Sequence, residues 1–236
     1  MARASKRRED RRKRPGPQVS GKAGAGKPER LTGEKVLLAA VALVGREGPD
    51  ALTFRRLGEE LRCEAMSLYH YFPNKQRLVD AVIDRVLGEI KVPAPGNDWA
   101  GELREIAWGF RAMALKYPRL FPLMAVHRMN TSAGIALMDR IVGTLRGAGF
   151  EDAVAARLFR DFSYFIVGAS LSETGPRAKS AGSEDALPDA ATARRHPNLA
   201  AVTRHLKPDQ REDAFKLGLE LLLDGMARLK RAASGR

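Results

Sequence analysis

Cysteine is nearly absent from this chain: Cys63 is the single one in 236 residues. An internal disulfide is therefore excluded, and with it the disulfide frameworks that staple small secreted domains. Long apolar runs are missing too. The run from Val36 to Val44 begins too far from the first residue to be the core of a signal sequence, and no stretch approaches the roughly 18 apolar residues of a membrane span. These absences point to a cytoplasmic protein without a membrane partner. There is no Gly-x-Ser-x-Gly elbow, no His-Glu-x-x-His pair and no Gly-rich phosphate loop ahead of a Lys-Ser/Thr pair. The sequence marks of a hydrolase, a zinc protease or a nucleotide-binding enzyme are thus lacking, and no catalytic residues are expected.

Charge is plentiful and unevenly placed. The net charge is +13, and residues 1–30 hold eleven Lys/Arg against three acidic residues, so eight of those charges sit in the first thirty positions. Such a basic balance is the footprint of a nucleic-acid partner. The same stretch is rich in Gly, Pro and Lys and poor in large apolar side chains, so it cannot bury enough surface to offset the entropy of ordering it. It reads as a disordered basic arm, either a solvated tail or a grip on phosphates.

Beyond residue 31, apolar residues recur at helical spacing and no sustained alternation marks a strand, so the expected fold is all-α. The length suits an arm over 1–30, a head over 31–92 and a larger body over 97–236, with Val92-Pro93-Ala94-Pro95-Gly96-Asn97 as the connection. Thr32 is the expected N-cap of the first helix, with Leu31 and Val36 placed as a hydrophobic staple and Gly48-Pro49 as the stop. Further head helices are expected at Phe54–Leu61, Ala65–Phe72 and Lys75 to about Ile90, the last capped by Asn74 behind Pro73. In the body the pattern predicts helices near 99–116, 119–126, 132–148, 151–173, 198–206 and 208–230, with a Gly/Ser/Ala/Pro-rich loop from Gly175 to Pro197.

The region 52–75 carries the sharpest chemistry. Two short helices joined by Arg62-Cys63-Glu64 form the pattern of a helix-turn-helix, whose later helix enters the major groove. Leu57, Leu61 and Leu68 supply the apolar contacts that hold the pair at its angle. Ser67, Tyr69, His70 and Tyr71 then offer hydroxyls and an imidazole to base edges or phosphates, while Ala65 and Met66 offer apolar contact to a thymine methyl. Packing is the competing role for Tyr69 and Tyr71, and a solvated position for His70.

The strings Leu52-Thr53-Phe54-Arg55-Arg56-Leu57-Gly58-Glu59-Glu60-Leu61 and Met66-Ser67-Leu68-Tyr69-His70-Tyr71-Phe72-Pro73-Asn74-Lys75 resemble the DNA-binding head of the tetracycline-repressor (TetR) family, over residues 33 to about 90. Near the other end, Phe215-Lys216-Leu217-Gly218-Leu219-Glu220-Leu221-Leu222-Leu223-Asp224-Gly225 resembles more weakly the ending of the subgroup nearest the tetracycline repressors. The resemblance implies a transcriptional repressor: a homodimer whose paired heads bind a palindromic double-stranded DNA operator and whose body binds a small-molecule inducer that releases the DNA. It also implies DNA contact by Arg55 from the second helix and by Ala65, Met66, Ser67, Tyr69, His70 and Tyr71 on the recognition helix. Lys75 joins them at the start of the fourth helix, where an ammonium and a helix N-terminus both favour a phosphate. One position departs from the family. Arg62 stands where Gly is common, and a side chain is disfavoured there if the backbone takes positive φ. Either the turn is shaped differently or Arg62 itself reaches a phosphate.

In the body, Trp108, Phe110, Phe121, Met124, Met129, Met138, Phe159, Phe162 and Phe165 form aromatic and Met stripes, which serve as core or, as a group, line an apolar cavity for a small molecule. Arg104, Arg111, His127, Asn130 and Glu173 are the polar side chains available to orient a ligand. The candidate ligand set is Arg104, Trp108, Arg111, Phe121, Met124, His127, Met138, Phe162 and Phe165. His127 falls near the metal-ligating histidine of tetracycline repressors but out of register by a couple of residues, so no metal or cofactor is expected. Phe215, Leu219, Leu222 and Met226 recur at helical spacing beside Gly218 and Gly225, and Phe159, Phe162, Ile166, Ala169 and Ser170 form a matching face. A homodimer through the 151–173 and 208–230 helices follows, as a four-helix bundle, unless these faces pack within one subunit. The competing function is a sequence-nonspecific DNA-coating or architectural protein, for which the basic arm suffices and the body has no role.

Overall fold

The computed structural model describes residues 30–126, 130–175, 190–203 and 205–234. The expectations for the basic arm and for His127 and Met129 lie outside those residues, as does the middle of the predicted 175–197 loop. Among the described residues every regular element is a helix.

The head is built from four helices: α1 (Gly33–Glu47), α2 (Phe54–Leu61), α3 (Ala65–Leu68) and α4 (Lys75–Leu87). Thr32, Thr53 and Asn74 cap α1, α2 and α4, each side-chain oxygen accepting from the backbone N–H three residues on, which satisfies a donor the helix leaves unpaired. Val36, Ala40, Leu43 and Val44 on α1 are fully buried, as are Leu57 on α2, Leu68 on α3 and Val82, Ile83 and Val86 on α4. Each large side chain so buried contributes about 1.5–3 kcal/mol. The third helix is shorter than expected. It ends at Leu68, and the chain continues in turns through Tyr71, with the N–H groups of Tyr71 and Phe72 both donating to the Leu68 carbonyl at 3.0 Å. Pro73 then bars any continuation, because it disfavours the α region for Phe72 before it. The fourth helix likewise stops at Leu87, not Ile90, and finishes in a tight turn.

A strap from residue 91 to 98 leads into the body, and a buried carboxylate clamps it. Glu102 accepts from the Gly96 N–H at 2.6 Å, from Arg140 at 2.7 Å and from the Thr144 hydroxyl at 2.8 Å. Arg140 also donates to the Pro93 carbonyl through Nε and Nη2. A buried charge is tolerated when its lone pairs are filled in this way. Head and body are tied at a second point, where Asp84 of α4 accepts from the Ala133 N–H at 2.6 Å.

The body comprises α5 (Trp99–Lys116), α6 (Phe121–Val126), α7 (Ser132–Gly147), α8 (Asp152–Thr174), α9 (Ala190–Arg195), α10 (Pro197–Thr203) and α11 (Arg211–Ser234). Helices α5 and α8 pack at its centre, α7 against both, and α11 closes over α8 and α5. Leu103, Ile106 and Ala107, Leu137, Ile141 and Leu145, and Leu158, Phe162 and Ile166 form the core between them. Helix α9 occupies the last part of the predicted loop; its sequence, Ala-Ala-Thr-Ala-Arg-Arg, is rich in strong helix formers.

The face expected to meet a partner subunit is turned inward. Phe215, Leu219 and Met226 on α11 and Phe162, Ile166 and Ser170 on α8 are all buried within the one chain, and Leu222 is half-buried. Gly218 is closed off by Phe165: a Cβ there would lie 2.6 Å from its ring. On the side of α11 away from that stripe Leu217 and Leu221 are exposed beside Asp224 and Arg228, Leu229 is exposed at its flank, and Tyr164 is exposed on α8. Periodicity identifies an apolar stripe without saying what covers it.

Candidate nucleic-acid interface

The helix-turn-helix depends on a close backbone approach. A Cβ at Gly58 would come within 2.8 Å of the Cys63 carbonyl and 3.3 Å of the Ala65 amide, so the turn is seated directly on α2. The chain then reverses at Arg62, whose φ of 53° and ψ of 44° are left-handed. The turn therefore keeps the conformation that favours Gly, and Arg62 adopts it at a cost of about 1 kcal/mol. Phe54 stacks on Tyr69 with ring centroids 4.3 Å apart. Together with buried Leu57 and Leu68, that stack sets the angle between α2 and the recognition segment. On the other side Arg56 binds Glu47 at the end of α1, its Nε and Nη2 each meeting one carboxylate oxygen, at 3.1 and 2.5 Å. The hydrogen bond from Arg56 holds the Glu47 carboxyl below the usual carboxylate range.

What this frame leaves outward is polar and aromatic. Met66 is 73% and Tyr69 43% exposed, and Ser67 and His70 are exposed beside them. Ala65 and Tyr71 are half-buried, with the Tyr71 ring edge-on to His70 and leaning toward Gly33 of α1. Tyr69 thus combines the two roles weighed for it, stacking through its ring while remaining partly open to solvent. Arg55 extends from α2 with 90% of its side chain exposed, its nearest carboxylate, Glu59, at 3.9 Å. Lys75 is exposed as the first residue of α4, just after the Asn74 cap. Neighbouring Arg55 and Arg56 are therefore unlike: one is committed to the fold and the other extends into solvent.

Two family profiles match the chain. "Bacterial regulatory proteins, tetR family" covers residues 36–82, and "Tetracyclin repressor-like, C-terminal domain" covers residues 92–229. The chain belongs to the TetR family. Its members are DNA-binding transcriptional regulators and not enzymes. Among relatives, the class A tetracycline repressor from transposon 1721 of Escherichia coli is 32% identical, over 84% of this chain and 92% of that protein. Among solved structures, a possible TetR family transcriptional regulator from Streptomyces coelicolor A3(2) is 30% identical with a TM-score of 0.74, over 84% of this chain and all of that one. The TetR family protein ActR of Streptomyces coelicolor, in complex with actinorhodin, is 29% identical with a TM-score of 0.69, over 86% of this chain and 99% of that one.

The candidate ligand residues of this TetR-family body separate into two groups. Phe121 and Phe162 are fully buried and Met124 nearly so, Phe121 edge-on to Phe110 at 5.6 Å. Phe165 lies tilted against Phe215 with ring centroids 5.3 Å apart, and Met138 is half-buried on α7. These side chains are packed against protein. Arg111 is spoken for as well: it pairs with Glu173 through two hydrogen bonds of 3.0 and 2.9 Å and with Glu212 at 3.2 Å, and lies over the rings of Trp108 and Phe215. Burial opposes its charge, yet the two carboxylates more than compensate and raise its pKa. Arg104 and Trp108 differ. Both line an open groove of about 580 Å³ on the outer side of α5, together with Glu89, Lys91 and Lys116, which sequence periodicity gave no means of grouping. Asn130 is exposed. Among the described residues no cluster of three or more His, Cys, Asp or Glu is arranged to hold a metal ion, and no helix is long and apolar enough to cross a membrane.

Proposed function

We propose that the chain is a homodimeric repressor that reads a two-fold symmetric operator with the 65–71 segment and lets go when a small molecule binds its body, acting in the cytoplasm. The observation that carries the reading is the head geometry: Ser67, Tyr69 and His70 are solvent-facing on a segment whose back is locked by Leu57, Gly58 and Leu68. Rigid presentation of a few donors is what direct readout of base edges requires. In this reading Ala65, Met66, Ser67, Tyr69, His70 and Tyr71 meet the groove, Arg55 and Lys75 meet phosphates, and the division of labour runs arm 1–30, head 31–92, body 97–236.

The dimer uses the same two helices as the sequence pattern suggested, through their other faces. Leu217, Leu221, Leu229 and Tyr164 are exposed on a single chain, on two helices that pack together. In this reading a second copy covers Leu217, Leu221 and Tyr164 and places the two recognition segments symmetrically about the axis. The solved relative that holds actinorhodin supports an inducer-responsive body.

Gel-shift titration against a palindromic duplex selected from random DNA, and against a scrambled duplex of the same length, tests the proposal. Two protomers per duplex and about a 1,000-fold preference for the selected site are expected. Equal affinity for both duplexes would instead support a nonspecific coating protein.

A further inference from the structure

The recognition segment lacks the side chains that read guanine, adenine and cytosine most sharply. From Ala65 to Pro73 the chain runs Ala-Met-Ser-Leu-Tyr-His-Tyr-Phe-Pro, without Arg, Lys, Asn, Gln, Asp or Glu. In the major groove a guanine is read by a bidentate Arg or Lys, an adenine by a bidentate Asn or Gln, and a cytosine by Asp or Glu. Arg62 and Glu64 stand in the turn before the segment, Lys75 opens α4, and Asn74 is committed as the cap of that helix. Ser67 and His70 are exposed and can each hydrogen-bond, but a single hydroxyl suits a donor or an acceptor on any base. Hydrogen bonding therefore gives the segment little means of telling one base pair from another.

What the segment does present is a methionine. Met66 is 73% exposed, more than any other large apolar side chain among the described residues. Leu68 on the same helix is fully buried, and at about 100° per residue Met66 lies roughly 200° away from it, on the side turned from the core. Tyr69, three positions on, shares that side and is held by its stack on Phe54. The turn ahead of Met66 is seated on α2 at Gly58, so the methionine is offered from a fixed frame. An apolar side chain held in water gains when an apolar partner covers it. The one apolar group that base edges display in the major groove is the 5-methyl of thymine, and an unbranched, polarizable thioether adapts to such a group without strain.

We propose that Met66 reads a thymine through its 5-methyl group, and that this contact is the main source of base discrimination in the 65–71 segment. Each operator half-site then carries a T·A pair beneath the start of the recognition segment, while Arg55 and Lys75 hold phosphates on either side of that reading. The inference rests on the repressor reading above and gives its operator a chemical feature.

The test compares the palindromic duplex selected from random DNA with the same duplex carrying deoxyuridine in place of thymidine, one position at a time and symmetrically in both half-sites. An A·U pair keeps every hydrogen-bonding group of A·T and loses only the methyl. Gel-shift titration uses the full chain, as wild type and as Met66→Ala. At one position uracil should weaken wild-type binding by about fifteenfold, or about fourfold for each of the two methyls, and there Met66→Ala should bind the thymine and uracil duplexes alike. Met66 is exposed and alanine is the better helix former, so thermal unfolding of the variant should match that of the wild type. Wild-type binding undiminished by uracil at every position, or uracil effects that persist at full size in Met66→Ala at every position, would overturn the inference while leaving operator recognition standing. Equal affinity of the wild type for the selected and scrambled duplexes would overturn the repressor reading, and the inference with it.

Discussion

The recognition segment and the outer face of α11 are both exposed, with opposite chemistry. At 65–71 a helix of four residues and the turns after it present hydroxyls, an imidazole and one methionine, whereas α11 presents three leucines along 24 residues. A polar surface is stable in water by itself and gains from a charged partner only when that partner arrives. An apolar surface of that size is costly when solvated, at about 25 cal/mol per Å², and so calls for a lasting partner. In the proposed reading one chain thus carries a transient interface and a permanent one, and DNA binding depends on both.

The largest effect should come from the permanent surface. Leu217→Glu with Leu221→Glu sets like charges near their symmetry mates in an apolar contact, at a cost of several kcal/mol. Ultracentrifugation should show a folded monomer, and operator affinity should fall by at least about 100-fold. A dimer of unaltered affinity would move the interface elsewhere. Next in size is the frame of the transient surface. Gly58→Ala pushes the turn off α2, and a loss of about 2 kcal/mol in thermal unfolding is expected, even though alanine is the better helix former. Retained stability would mean that the turn has another way to seat.

Smaller effects are expected at the DNA contacts themselves. Tyr69→Ala and Lys75→Ala should each weaken operator binding by about tenfold, with Tyr69→Ala also losing some stability because its ring stacks on Phe54. The two should differ in kind: Lys75→Ala reduces the salt dependence by about one phosphate, and Tyr69→Ala leaves it unchanged. The smallest change in affinity, read mainly in its salt dependence, is expected from deletion of residues 1–30. If the basic arm meets phosphates, the log-log salt slope should fall by about 0.9 for each one; an identical slope would make the arm a solvated tail.

Much of the head was legible in the sequence, and the reasons are local. Thr32 and Asn74 work as caps because a cap needs only its own helix, and Leu57 and Leu68 are buried as their spacing required. The length of α3 was not, because helical spacing runs on through 69–72 while the chain passes into turns after Leu68. Gly58 passed unremarked, yet a glycine inside a helix of good formers is itself a sign of close backbone approach. Arg62 carried the right physical question, and the left-handed φ answers it. The body was harder because its determinants are distant. Nothing near Arg111 foretells Glu173, 62 positions away, and nothing on α11 says that its apolar stripe meets Phe165 within the same chain. The groove unites side chains from the end of α4, the strap and α5, so no single stretch of sequence announces it.

The central claim is that two copies of this chain read one symmetric site. Selection of bound duplexes from a random pool, carried out on the full chain, tests it most directly. The account predicts an enriched inverted repeat whose half-sites are centred about one DNA turn apart, roughly 34 Å or somewhat more, and no such enrichment with the Leu217→Glu, Leu221→Glu variant. Enrichment of a single asymmetric half-site, or of no sequence at all, would contradict it.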